Sequence, residues 1–98
     1  MMTNEPEMVA RAEIFKALGH PARLAMVMAL EDGERCVCEL QEIVGSDMST
    51  VSKHLSVLRQ VGLVGAEKRG KQVFYDLRLT CTLGFIHCVD RAVRERGG

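Results

Sequence analysis

No stretch of the 98 residues is apolar for long enough to cross a bilayer, which takes about 18 or more. The opening residues, with Asn4, Glu5 and Glu7, lack the basic-then-greasy pattern of a secretory signal. A cytoplasmic location without a membrane partner is therefore expected. Charge of one sign is missing too. Thirteen basic side chains meet thirteen acidic ones, which argues against a protein that coats nucleic acid by bulk charge, so any such contact must come from a local patch. The chain has no Cys-X-X-Cys redox motif, no phosphate-binding loop and no cysteine-histidine pairing of known catalytic geometry, and an enzyme is not expected. No internal repeat, linker or low-complexity stretch divides it.

What is present suits one domain spanning residues 1–98, with 47% hydrophobic content. A domain this small buries only about 60 to 70% of its unfolded surface, so pairing with a second copy would add useful apolar burial. Apolar periodicity and breakers predict a mainly helical chain with a small β-hairpin, in the order α-α-α-α-β-β-α. The first helix is expected to start at Thr3 and Asn4 ahead of Pro6, and to bury Met8, Ala12, Phe15 and Leu18 before Gly19. Pro21 opens a second, with Leu24, Val27 and Met28 as its buried stripe, and Asp32-Gly33 turns the chain. A short third helix runs from about Cys38 to Val44, with Leu40, Ile43 and Val44 on one side, and ends at Gly45 in a left-handed conformation.

Ser46 and Asp47 can cap a fourth helix, where Val51, Leu55 and Leu58 fall at i, i+4 and i+7 before Gly62. Its opposite face carries Ser49, Thr50, Ser52, Lys53 and Ser56, small or basic side chains that suit a helix lowered into the major groove. Leu63 to Lys68 and Gln72 to Leu77 read as strands around a basic tip at Arg69-Gly70-Lys71. Between Ser46 and Tyr75 five cations (Lys53, Arg59, Lys68, Arg69 and Lys71) face two anions, Asp47 and Glu67, so the neutral chain has a basic region where a DNA reader needs one. The residues expected to meet DNA are Ser49, Thr50, Ser52, Lys53, His54, Ser56, Arg69 and Lys71. His54 either packs or meets phosphate. A last helix is expected from a cap at Thr80 through Phe85, Cys88, Val89 and Ala92.

The segments "ALGHPARLAMVMAL" at 17–30, "STVSKHLSVLRQVGLV" at 49–64 and "KRGKQVFYDL" at 68–77 resemble the second helix, recognition helix and wing of the ArsR/SmtB repressors. The resemblance covers about residues 8–95. It implies a winged helix-turn-helix fold, a homodimer held by the first and last helices, double-stranded operator DNA as partner, and repression relieved by an inducer.

Cys36-Val37-Cys38, followed by Glu39-Leu40, resembles the family's arsenite-sensing element at the start of the third helix. Side chains two apart share a side only in extended backbone, so two thiolates gripping one soft ion require residues 36–38 to stay extended or to unwind. Capture could then displace the third helix. Structural disulfides are not expected in a reducing compartment. The prototypical sensor has a third cysteine where this chain has Gln41, leaving Cys81 and Cys88 as candidate further metal ligands. These two are seven residues apart, about 10.5 Å along a helix, too far to share an ion or a disulfide within one chain. Cys81 is expected in the first turn of the last helix, and Cys88 as buried packing. His87, Asp90 and Glu95 lack the spacing of a zinc site, and His20 is read as a cap beside Pro21. Soft thiolates favour arsenite or antimonite as inducer, with cadmium and lead as further candidates and no obligatory cofactor.

Two alternatives keep the fold. One is a redox or persulfide sensor, although the second helix, Pro21 to Leu30, lacks the cysteine such relatives usually carry. The other is a protein-interaction module, which would need an apolar patch where Ser49 to Ser56 lies.

Overall fold

The computed structural model describes residues 2–97. After a 3-10 turn at Met2–Asn4 come α1 (Pro6–Leu18), α2 (Pro21–Ala29), β1 (Arg35–Cys36), α3 (Val37–Val44), α4 (Met48–Gln60), β2 (Val64–Arg69), β3 (Gln72–Leu77) and α5 (Thr82–Gly97). The expected order of five helices and a hairpin is met, with one addition. The two-residue strand β1 pairs antiparallel with β3, giving a three-stranded sheet in the order β1-β3-β2. Two residues are too short a run to show period-two alternation, so pairing with β3 is what makes them a strand.

Met26 and Val27 of α2, Leu40 of α3, Val51, Leu55 and Leu58 of α4, and Leu63 form the solvent-free centre. The α4 triad thus locks that helix by the face the periodicity assigned to it. Leu63 joins the layers. Its N–H donates to the carbonyl of Leu58 at 3.0 Å, while its own carbonyl accepts from the N–H of Arg78 at 2.9 Å. No helix among the described residues is long and apolar enough to cross a membrane.

The chain departs from expectation at both ends. Glu5, not Thr3 or Asn4, occupies the N-cap of α1 without a side-chain cap, because Pro6 already supplies the first helical turn. The α1 face turned inward is Ile14, Ala17 and Leu18, whereas Ala12 and Phe15 are exposed. Met28 and Ile43 are exposed as well, while Met26 takes the buried place on α2. The last helix begins at Thr82, whose hydroxyl donates to the Leu79 carbonyl at 2.7 Å, so Thr80 is not its cap. Thr82 and Ile86 are the buried residues of α5. Phe85, Val89 and Val93, at i, i+4 and i+8, stay 52%, 42% and 48% exposed, a second apolar stripe that the single chain leaves uncovered.

Candidate nucleic-acid interface and thiol pair

The connection from α3 to α4 is built from local chemistry. Gly45 closes α3 at φ 76°, a conformation only glycine adopts freely, and its N–H donates to the Gln41 carbonyl at 2.8 Å. Asp47 then caps α4, its Oδ1 accepting from the N–H of Thr50 at 2.7 Å. Those Thr50 hydrogen bonds, with Lys53 nearby, hold the Asp47 carboxyl below the usual range. With Val51, Leu55 and Leu58 inward, Ser49, Ser52, Lys53 and Ser56 are exposed together, and Thr50 is half-buried at their edge.

His54 stands apart from that group. It is half-buried and turned toward α2, its ring 4.4 Å from that of His20 and its Nδ1 3.3 Å from Nη1 of Arg23. The packing alternative is the one the geometry takes. Arg23 is anchored in turn by donating from Nε to the Ala17 carbonyl at 2.7 Å. Burial first, then His20 and Arg23, lower the His54 pKa below 6.5. His20 caps α2 as read from the sequence, its Nδ1 accepting from the N–H of Ala22 at 3.1 Å.

The hairpin turns at Gly70, φ 61°, between Arg69 and Lys71. Lys53, Lys68 and Lys71 are exposed and make no ion pair among the described residues. Arg69 differs. Its guanidinium is paired with the Glu34 carboxylate, lies 3.7 Å from Glu67 Oε1, and sits 4.0 Å over the Phe74 ring. The hydrogen bond to Glu34 is the main reason its pKa is raised.

Cys36 and Cys38 are joined by a disulfide, with Cα atoms 5.3 Å apart, contrary to the expectation of free thiols. The physical reason lies at the junction they straddle. Cys36 is extended at φ −74°, ψ 156° as the last residue of β1 and the N-cap of α3, and Val37 begins the helix. That partly extended backbone brings both sulfurs to one side, as gripping an ion would also require. Glu39 fixes the junction by accepting from the Cys36 N–H at 3.2 Å and from Arg35 Nη1 at 3.1 Å. Cys36 is buried and Cys38 exposed, its sulfur 3.6 Å from Oε1 of Gln72 on β3. In the disulfide that sulfur has no proton to donate, whereas as a thiol it is in reach to do so.

Cys81 and Cys88 are free thiols and are not brought to this pair. Cys81 lies in the turn just before α5 rather than within its first turn, and Cys88 is exposed rather than packed, because α5 leaves most of its length uncovered. Among the described residues no cluster of three His, Cys, Asp or Glu side chains could hold a metal ion. His87 contacts Glu31 at the surface.

A short helix, a glycine-ended turn, a second helix with an exposed polar face and a flanking basic hairpin define a winged helix-turn-helix, the architecture of transcriptional regulators. The chain belongs to the arsR family of bacterial regulatory proteins, whose model matches residues 20–65. It is 43% identical over 65 residues to the uncharacterized HTH-type transcriptional regulator MJ1325 of Methanocaldococcus jannaschii, covering 65% of this chain and 73% of that protein. Over 68 residues it is 38% identical to the HTH-type transcriptional repressor SmtB of Mycobacterium tuberculosis, covering 69% of this chain and 50% of that one. It is 43% identical over 68 residues to a Staphylococcus aureus homolog of the cadmium resistance regulatory protein CadC, covering 67% and 55%. The chain thus spans about half the length of the last two relatives. Among solved structures it is similar to HlyU from Vibrio cholerae, with TM-score 0.78, 32% identity and coverage of 90% and 96%. It is also similar to the homodimeric winged helix-turn-helix domain of Mb0332 from Mycobacterium bovis, with TM-score 0.81, 25% identity and coverage of 98% and 89%.

Proposed function

We propose that this chain is a cytoplasmic, homodimeric repressor that holds double-stranded operator DNA and lets go when a thiophilic inducer engages Cys36 and Cys38. The observation that carries the DNA reading is the face of α4, where Ser49, Ser52, Lys53 and Ser56 are exposed together, with Met48 at the helix start as their one exposed apolar neighbour. Lys53 supplies the cation for a base edge or phosphate, and Lys68 and Lys71 on the hairpin supply backbone contacts. No residue constellation for catalysis enters this reading. The interaction-module alternative predicts indifference to Lys53→Ala with Arg69→Ala, whereas the repressor loses operator binding.

The dimer reading rests on the open apolar groove of about 440 Å³ between α1, α2 and α5, lined by Phe15, Leu24, Met28, Phe85, Val89 and Val93. Phe15 and Phe85 already meet edge to face at 5.8 Å, leaving one side of each ring for a second copy. A similar homodimeric domain supports this occupant.

For the inducer, two sulfurs on one side of a strand-to-helix junction suit a soft, thiol-seeking centre such as arsenite or antimonite, with cadmium and lead next. Such a centre would bind the reduced pair, each thiol giving up its proton on ligation, and not the closed disulfide, and any further donor comes from outside residues 36–38. A second reading is favoured by the disulfide itself. Oxidation of the two thiols passes two electrons to an oxidant or persulfide and releases two protons, so the pair could report redox state or reactive sulfur.

The test is titration of the reduced protein on its promoter DNA with arsenite, antimonite, cadmium, lead and a persulfide donor, for wild type and Cys36→Ser/Cys38→Ser. Release by arsenite or antimonite that the double variant abolishes supports the metalloid reading. Release by the persulfide donor alone transfers the function to sulfur sensing, and no release by any of them overturns the assignment of a sensor to this pair.

A further inference from the structure

Arg69 is the one wing cation whose charge is already engaged within the described residues. Its neighbours Lys68 and Lys71 carry no ion pair, although all three stand at the hairpin tip. The partner is not a neighbour on the wing. Glu34 is thirty-five residues away in sequence, on the segment that leads into β1, and reaches the guanidinium from the side of the sheet opposite β2 in strand order. Both side chains are close to half exposed, 43% for Arg69 and 47% for Glu34, so the pair is open to exchange with an anion from solution. A carboxylate and a phosphate offer a guanidinium the same pair of oxygen acceptors. The Phe74 ring beneath Arg69 keeps the guanidinium in place whichever anion it holds.

Glu34 is also tied to the thiol pair. Arg35 pairs with Tyr75 and Cys36 with Phe74, so the residues that follow Glu34 are a strand of the wing's own sheet. Cys38 touches Gln72 at the first position of β3. The thiol pair and Arg69 therefore meet on β3 within three consecutive residues, Gln72 to Phe74.

We propose that Glu34 is an internal occupant of the wing's phosphate site. Its carboxylate takes the place of a DNA phosphate oxygen on Arg69, docking of the wing replaces it by phosphate, and the state of Cys36 and Cys38 sets how readily it leaves. Glu34 is thus a positioning residue that restrains affinity in the free protein and links the thiol pair to the DNA. The proposal rests on the DNA-binding reading above and not on the choice of inducer.

The test uses the full chain and a duplex recovered by selection from random DNA. Operator affinity and its salt dependence are measured by fluorescence anisotropy for wild type, Glu34→Gln, Arg69→Ala and the double variant, each with the disulfide closed and after reduction. Glu34→Gln keeps the size of the side chain and removes its charge, and unchanged thermal melting confirms the fold. The expected result is a gain in affinity of about two- to fivefold at low salt, the range an exposed ion pair supplies. Arg69→Ala cancels that gain, so the double variant binds like Arg69→Ala alone. The ratio of affinities between closed and reduced protein is smaller in Glu34→Gln than in wild type. Affinity that is unchanged or weaker in Glu34→Gln overturns the proposal, as does a gain that persists without Arg69. A wild-type ratio of one between closed and reduced protein overturns the link to the thiols, while a gain in Glu34→Gln then still establishes the phosphate-site occupant. Failure of wild type to enrich any duplex overturns the DNA-binding reading and the proposal with it.

Discussion

Asp47 shows how much a single side chain can decide. Its carboxylate satisfies an N–H that the start of α4 would otherwise leave without a partner, and it does so at the head of that helix's exposed polar face. Asp47→Ala should lower the melting temperature and weaken operator binding together, whereas Asp47→Asn, which keeps an acceptor, should retain most of both. Inside the same helix Leu55 has no solvent exposure. Leu55→Ala should cost about 2 to 5 kcal/mol in denaturant unfolding, a large part of the stability of a domain this size. His54 gives a pH dependence with a definite sign. Its folded pKa lies below 6.5 through burial, then His20 and Arg23, so the unfolded chain takes the proton first as pH falls. Its contribution is complete above about pH 6.5 and is lost as pH falls from there toward the folded value. Unfolding curves at pH 7.5 and 5.5 should show that loss in wild type and a smaller one in His54→Gln. The caps at His20 and Asp47 were legible because they depend on neighbours two or three residues away. The placement of His54 was not, since its partner Arg23 comes from another helix.

At the level of the element, the periodicity of α4 was sufficient because one helix offers its neighbours a single apolar stripe, and Val51, Leu55 and Leu58 make it. The glycine between α3 and α4 was equally legible. Nothing stands within 4 Å of a Cβ built on Gly45, so Gly45→Ala meets no steric clash and its cost, about 1 kcal/mol, is backbone conformation alone. A melting shift of several degrees with a matching loss of operator affinity is expected, because the same turn sets the angle between α3 and α4. Strand β1 was not legible. A two-residue segment carries no pattern of its own and becomes a strand only because Phe74 and Tyr75 offer open backbone groups to Cys36 and Arg35. That pairing joins the thiol pair to the wing.

For the whole molecule, the apolar stripe of α5 and the exposed ring of Phe15 have no partner within the chain. If a second copy covers them, Phe85→Glu should give a monomer by sedimentation velocity. Operator affinity should then fall by about a hundredfold or more, since two half-sites are no longer held by one particle. Retained dimerisation would place the contact elsewhere. The sequence by itself determined the helices, the basic hairpin and the polar face of α4, because each is written in contacts within four residues or in a run of alternating side chains. It also marked Cys36 and Cys38 as a pair, through their spacing. Only the tertiary structure decided that this pair closes on itself at a strand of the wing sheet, that His54 turns inward, and that Glu34 occupies Arg69. Each of these joins residues distant in sequence, and such a meeting is set by how the elements pack, which no local pattern encodes.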